Sequence, residues 1–213
     1  MIQVLHGRMR TRSIDVDGHC LRIPPGVLDP ILFRSGSWLA RQLLPTISSN
    51  IRLLDMGCGS GVVGVMTQAA GAKVTATDID PRAVAAARSN GLRDVRQGSL
   101  FEPIKKERFD CIAFNPPYFP GRSRGRLYGR ALYGGQNFET IKAFSEAVPK
   151  HLLPNGTAWM VLSDRAPQAS EVLSTKWCLH HQEAVEDEIL LLWRFENDQS
   201  HLKSGETNGK AIL

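Results

Sequence analysis

From residue 50 onward the apolar positions alternate between strand-length runs and helical spacing. Ile51 to Asp55 (IRLLD) is a continuous apolar run closed by the glycines of 57–61, and predicts a buried strand. Val62 to Ala70 has helical spacing, and Lys73 to Thr77 (KVTAT) predicts a second strand. Pro81 opens the helix RAVAAARSN at a position where its missing N–H costs nothing, and Gly91 stops it. Asp94 to Gln97 and Phe109 to Phe114 (FDCIAF) predict the third and fourth strands. A helix over Gln136 to His151 follows, then a fifth strand over Thr157 to Leu162 and a helix around 165–175. Trp177 to Val185 and Ile189 to Phe195 predict two last strands joined by the acidic turn Glu186-Asp187-Glu188. Alternating strands and helices imply an α/β fold, a mostly parallel sheet with helices on both faces. The last connection is too short for a parallel crossover, so the sheet ends in an antiparallel hairpin.

The first 35 residues are less regular and are treated as an N-terminal extension. Ile2 to Leu5 and Cys20 to Ile23 are two candidate strands around the Asp17-Gly18 turn, and Pro24-Pro25-Gly26 breaks any element there. Residues 36–44 have helical spacing ended by Pro45, and open a domain taken to run over 36–196. Residues 197–213 are polar and unpatterned, as expected of a frayed tail. Hydrophobic residues make up 42% and charged residues 22% of the 213, which excludes a disordered or fibrous chain. No apolar run reaches membrane-helix length, and the N-terminus lacks a signal-peptide core. Cys20, Cys58, Cys111 and Cys178 form no CxxC pair, which argues against a zinc site and fits a reducing cytoplasm. The histidines show no metal spacing, so no metal is expected. A net charge of +5 is compatible with a nucleic-acid or ribosome-associated partner without requiring one.

The chemistry concentrates at two strand ends. After the first strand of the regular region comes Asp55-Met56-Gly57-Cys58-Gly59-Ser60-Gly61, a glycine turn that opens a helix and lets a ligand approach the backbone closely. Asp55 at this turn would repel a pyrophosphate but can accept a hydrogen bond from an ammonium group. Asp78 closes the next strand, where an acid reaches the two hydroxyls of a ribose. The implied ligand has a ribose and a cationic amine but no phosphate, a description that S-adenosylmethionine fits. Asp80, just before Pro81, reads as a helix cap.

The fourth strand runs into Asn115-Pro116-Pro117-Tyr118. An asparagine there points into the crevice where open α/β sheets bind ligands. The two prolines fix φ and remove N–H groups, so the segment presents acceptors only. Fixed acceptors suit a substrate –NH2 group, whose lone pair they aim at an electrophilic methyl. Tyr118 adds a flat face for a planar amide or base. The candidate catalytic residues are therefore Asn115, Pro116, Pro117 and Tyr118.

LLDMGCGSGVVGV, TDIDPRAVAAARSN and FDCIAFNPPYFPG followed by ALYGGQNFETIKAF together resemble the class I S-adenosylmethionine-dependent methyltransferases of the NPPY group. The resemblance covers roughly residues 24–195, and is strongest to the HemK-type protein N5-glutamine methyltransferases, in particular their short single-domain relatives. It implies a Rossmann-like seven-stranded sheet. It also implies that Asp55 and residues 57–61 hold the methionine part of the cofactor, Asp78 and Ile79 the ribose side, and Ser99 and Leu100 the adenine. Asn115 to Tyr118 would hold the substrate nitrogen, with Asn115 also beside the cofactor. Ser99 stands where the family often has an acid, and the long N-terminal helical domain of the bacterial release-factor enzymes has no counterpart. The Gly121 to Arg126 insertion is unusually basic.

The implied activity is N-methylation of a macromolecule, with a glutamine of a release factor or ribosomal protein placed ahead of RNA or DNA. Adenine N6 or guanine N2 presents a similar N–H pair, and the basic insertion favours that rival. A small-molecule N-methyltransferase and a non-catalytic cofactor-binding subunit are further alternatives, and a need for a small activating subunit stays open. Asp55 and NPPY disfavour a dehydrogenase.

Overall fold

The computed structural model describes residues 10–123 and 127–198. The chain begins with a hairpin, β1 (Arg12–Val16) and β2 (His19–Ile23), paired antiparallel with Val16 opposite His19. Its turn is the expected Asp17-Gly18, with φ of 52° and 82°. A two-residue turn of this kind fixes the register, so the partner of the Cys20 strand is Arg12–Val16. Ile2 to Leu5, the expected partner, lies outside the described residues, as does most of the expected tail, 199–213. Helix α1 (Ser35–Leu43) follows, then β3 (Arg52–Met56), α2 (Val62–Ala69), β4 (Lys73–Asp78), α3 (Pro81–Ser89), β5 (Asp94–Gln97) and β6 (Phe109–Phe114). A short α4 (Gly129–Leu132), α5 (Glu139–His151), β7 (Leu152–Ser163), α6 (Gln168–Glu171), β8 (Cys178–Val185) and β9 (Glu188–Glu196) complete the order.

The main sheet has seven strands in the order β5-β4-β3-β6-β7-β9-β8. The pairs from β5 through β7 are parallel, and β9 pairs antiparallel with both β7 and β8. This is the expected topology. Chain order reverses at β3, so the carboxyl ends of β3 and β6 flank a crevice.

Both sheet faces are covered, which explains why the central strands are continuous apolar runs. Leu53, Ala113, Val161 and Leu192 pack on one face with Trp38 and Leu39 of α1, Val63 and Met66 of α2, and Ile14 and Leu21 of the hairpin. Leu54, Ile112, Met160 and Leu162 point the other way, onto Ile141, Phe144 and Val148 of α5. Residues of the N-terminal segment thus belong to the same core as the sheet.

Three boundaries differ from expectation. Helix α5 starts at Glu139, because Gly135 (φ 100°) and Phe138 (φ 58°) hold a non-helical approach. Strand β7 begins at Leu152, before the Pro154-Asn155-Gly156 punctuation, because Leu152 still pairs with Phe109 across a register shift. The helix expected around 165–175 is a single turn, with Ala169 buried in it and Val172 and Leu173 packed against the α5-side core.

Phe144 is fully buried and its ring contacts those of Phe101, Phe114 and Trp177. Truncating a buried aromatic costs about 3–5 kcal/mol. Phe144→Ala should lower the unfolding free energy in urea by that amount, with the loss read from the shifted midpoint at constant slope.

Candidate active site

The glycine turn takes its shape from left-handed backbone. Gly57, Gly59 and Gly61 have φ of 61°, 55° and 84°, which glycine alone adopts freely. A Cβ on Gly59 would meet nothing within 4 Å, so the turn's backbone faces open space there. Behind it the Asp55 side chain is buried. Its Oδ2 accepts the Gly64 N–H at 2.8 Å, from the first turn of α2. Burial pushes the Asp55 carboxyl up to about 7; the Gly64 bond opposes this and the nearby Asp78 charge adds to it. Gly64 permits the contact: a Cβ there would stand 2.7 Å from Leu92 and 3.1 Å from Asp55 Oδ2.

Asp78 ends β4 and ties the turn to the next helix. Its Oδ2 accepts the Gly59 N–H at 2.9 Å, and its Oδ1 accepts the Asp80 N–H at 2.8 Å. Burial raises its pKa and these two bonds lower it. Each oxygen retains capacity for a further donor. Asp80 accepts the Arg82 N–H at 2.9 Å and caps α3, as expected. Ile79 is an exposed apolar side chain, 47% accessible, at the mouth.

Asn115 follows the last residue of β6. Its Nδ2 donates to Ser35 Oγ at 3.0 Å, and its Oδ1 is buried and has no hydrogen-bond partner among the described residues. Such an atom is costly unless a donor arrives. The Tyr118 hydroxyl is raised to about 12, first by burial and then by Glu188, with a hydrogen bond to Ser35 working the other way. It is therefore protonated at neutral pH. The Pro-Pro-Tyr segment is braced from outside: Phe119 and Gly121 donate to Leu132 and Gly135, and Gly134 donates to Phe119. Gly134 lies so close that a Cβ would meet the Pro117 carbonyl oxygen at 2.1 Å.

These elements surround one cavity of about 440 Å³. Asp55, Gly57, Cys58, Gly59, Ser60, Asp78, Ile79, Ser99, Leu100 and Asn115 to Tyr118 all line it. Gly61 does not; it precedes α2, and a Cβ there would crowd Leu92 and Ala87. The Cys58 thiol is kept neutral by burial.

The N-terminal segment supplies a wall that motif reading missed, including Gly26, Val27, Phe33, Ser35 and Gly36. It is anchored by Asp29, fully buried, whose Oδ2 accepts from Arg12 at 2.7 Å and whose Oδ1 accepts the Ile31 N–H at 2.9 Å. Arg130, Leu132 and Tyr133 close the opposite side. The only signal for that side was the Gly134-Gly135 pair; the segment at 24–36 carries no periodicity that marks it. Of the basic insertion, Arg122 is exposed, and 124–126 lie outside the described residues. Among the described residues no group of His, Cys, Asp and Glu could hold a metal ion, and no helix is long and apolar enough to cross a membrane.

The site fits S-adenosylmethionine on its own chemistry. Asp55 is a buried acid beside the cavity, Asp78 offers acceptors at the strand end, and Gly59 of the turn between them faces open space.

The family model described as methyltransferase small domain matches residues 33–188. A release factor glutamine methyltransferase of Geobacter sulfurreducens is 34% identical over 137 residues, covering 57% of this chain and 48% of that protein. A tRNA1(Val) (adenine(37)-N6)-methyltransferase of Shewanella sediminis is 34% identical over 138 residues, covering 56% of this chain and 55% of its own. The chain thus spans about half the length of these curated relatives. Among solved structures, the Mtq2–Trm112 complex of E. cuniculi, which methylates the termination factor eRF1, superposes with a TM-score of 0.64 at 20% identity, over 81% of this chain and 99% of that one. The fold is that of class I S-adenosylmethionine-dependent methyltransferases, and the chain belongs to the methyltransferase small domain family.

Proposed function

We propose that the chain transfers a methyl group from S-adenosylmethionine to the side-chain amide nitrogen of a glutamine in a protein, a translation release factor being the first acceptor to test. The observation that carries this reading is the buried, unpartnered Asn115 Oδ1 in a wall made otherwise of proline and tyrosine. An acceptor fixed there meets a substrate N–H and stabilises positive charge growing on the nitrogen. The resemblance to release factor glutamine methyltransferases supports the protein acceptor.

When bound, S-adenosylmethionine supplies an electrophilic methyl on a sulfonium. Asp55 would hold its ammonium group, Asp78 its ribose hydroxyls with Ile79 beside them, and Ser99 and Leu100 would flank its adenine. Asn115 orients the acceptor nitrogen, so the chain's contribution is positioning more than proton removal. Tyr118, protonated at neutral pH, gives the planar amide a face to lie on. A small activating subunit is a partner to test, since the termination-factor methyltransferase above is a two-protein complex.

Methylation of an adenine N6 in RNA is the second reading. The tRNA methyltransferase relative favours it, as do Arg130 on the cavity wall and the exposed Arg122. Tritiated S-adenosylmethionine, incubated with the protein and either purified release factor or bulk tRNA, separates the two. Label in release factor, lost when its glutamines are replaced, supports the first reading, and label in tRNA alone overturns it.

Two outcomes follow from the site. Asn115→Ala should bind S-adenosylmethionine within a few-fold of the wild type while kcat falls about 100- to 1,000-fold, measured by calorimetry and tritium transfer. Asp55 must be ionised to hold a cation, and its carboxyl titrates at about 7. Cofactor affinity should therefore fall as pH drops below 7, approaching about tenfold per pH unit, with proton release on binding. Asp55→Asn should bind more weakly and lose this pH dependence; calorimetry between pH 5 and 7.5 measures both.

A further inference from the structure

The carboxamide of Asn115 has two ends of nearly the same shape, and only one serves the proposed reaction. With the oxygen in the cavity the site accepts a substrate N–H, and with the nitrogen there it presents a donor to a donor. The choice is made by what the buried end touches. That end meets a single hydroxyl, Ser35 Oγ, 3.0 Å from Nδ2. Ser35 is itself buried, at the first turn of α1, and lines the cavity together with Tyr118. A serine hydroxyl has one proton. A lone pair of Oγ faces the Asn115 NH2, which leaves the hydroxyl proton to turn elsewhere.

We infer that Ser35 is a positioning residue for methyl transfer: by accepting from Asn115 Nδ2, its hydroxyl holds the Asn115 carboxamide with Oδ1 toward the acceptor nitrogen. The inference rests on the catalytic role proposed for Asn115. The surroundings fit it. The backbone beside Ser35 is Gly36, whose absent side chain lets α1 approach; a Cβ there would meet Val62 at 3.2 Å and Asn115 Nδ2 at 3.6 Å. Among the described residues Oδ1 has no partner that could compete for the other orientation. Ser35 lies 80 residues from Asn115 in sequence, and no motif connects them. The helix it opens is seated by Trp38, Leu39 and Leu43 in the main core, so its hydroxyl is held by rigid structure.

Ser35→Thr and Ser35→Val test this as a pair. Both add the same bulk, and only threonine keeps the hydroxyl. In the first arm, the Asn115 side-chain amide protons are followed by 15N-edited NMR on the full chain with S-adenosylhomocysteine, with Asn115→Asp assigning the signals. Their exchange with solvent should be slow in the wild type and in Ser35→Thr, and at least tenfold faster in Ser35→Val. In the second arm, tritium transfer to release factor should show kcat about 10- to 100-fold lower in Ser35→Val with KM changed less than threefold, and restored to within a few-fold in Ser35→Thr.

Equal exchange in Ser35→Val and Ser35→Thr overturns the inference, as does equal kcat. The NMR arm needs no acceptor. A wild type that labels no release factor but keeps the exchange difference refutes the glutamine reading while leaving the Ser35 lock in place.

Discussion

A carboxylate at the end of a buried strand has to be answered by something. Asp55 sits in the apolar centre of the sheet beside a second acid, Asp78, and its one backbone donor is the Gly64 N–H. That bond sets how closely α2 approaches β3, which is why a glycine stands at 64. A single donor leaves the acid above its ordinary range. The folded chain retains the Asp55 proton up to about pH 7, whereas an unfolded one releases it near 3.8. The folded state thus binds more protons between those values, and this group's contribution to stability declines as pH rises through that window. A bound cation reverses the balance, so the cost of burying Asp55 and its affinity for a cationic ligand come from one desolvated charge.

Much of the fold was legible because burial on both faces leaves a plain signature. The runs IRLLD, KVTAT and FDCIAF are strands in the structure, and the short connection before Ile189 forced the antiparallel last pair. The misjudged boundaries lie where tertiary pairing overrides local punctuation. Pro154-Asn155-Gly156 reads as a break, yet the chain on both sides of it stays within β7. Gln136 to Phe138 continue a helical pattern, yet the chain enters α5 through two left-handed residues, one of them Gly135, whose carbonyl is already engaged by Gly121.

The two strand-end motifs were legible because glycine, proline and a terminal acid mark backbone geometry directly. The wall at 24–36 was not, because its contribution depends on being folded over the cavity. Asp29 is an ordinary loop acid in the sequence; only its burial against Arg12 shows that it anchors this segment. Ser35 is likewise one of many serines until the sheet brings Asn115 to it. Residues that act through contact with a distant motif leave no periodic trace.

The bridges from Phe119 to Tyr133 and from Gly121 to Gly135 join the two ends of the excursion between them. Because the excursion is closed by its own short ladder, its ordering entropy is settled at the ladder, away from the Asn-Pro-Pro-Tyr backbone. Closure entropy grows only slowly with loop length, so the excursion can lengthen at little entropic penalty. The ladder therefore holds Phe119 and Gly121, next to the Asn-Pro-Pro-Tyr segment, in place whatever the length of the excursion it closes.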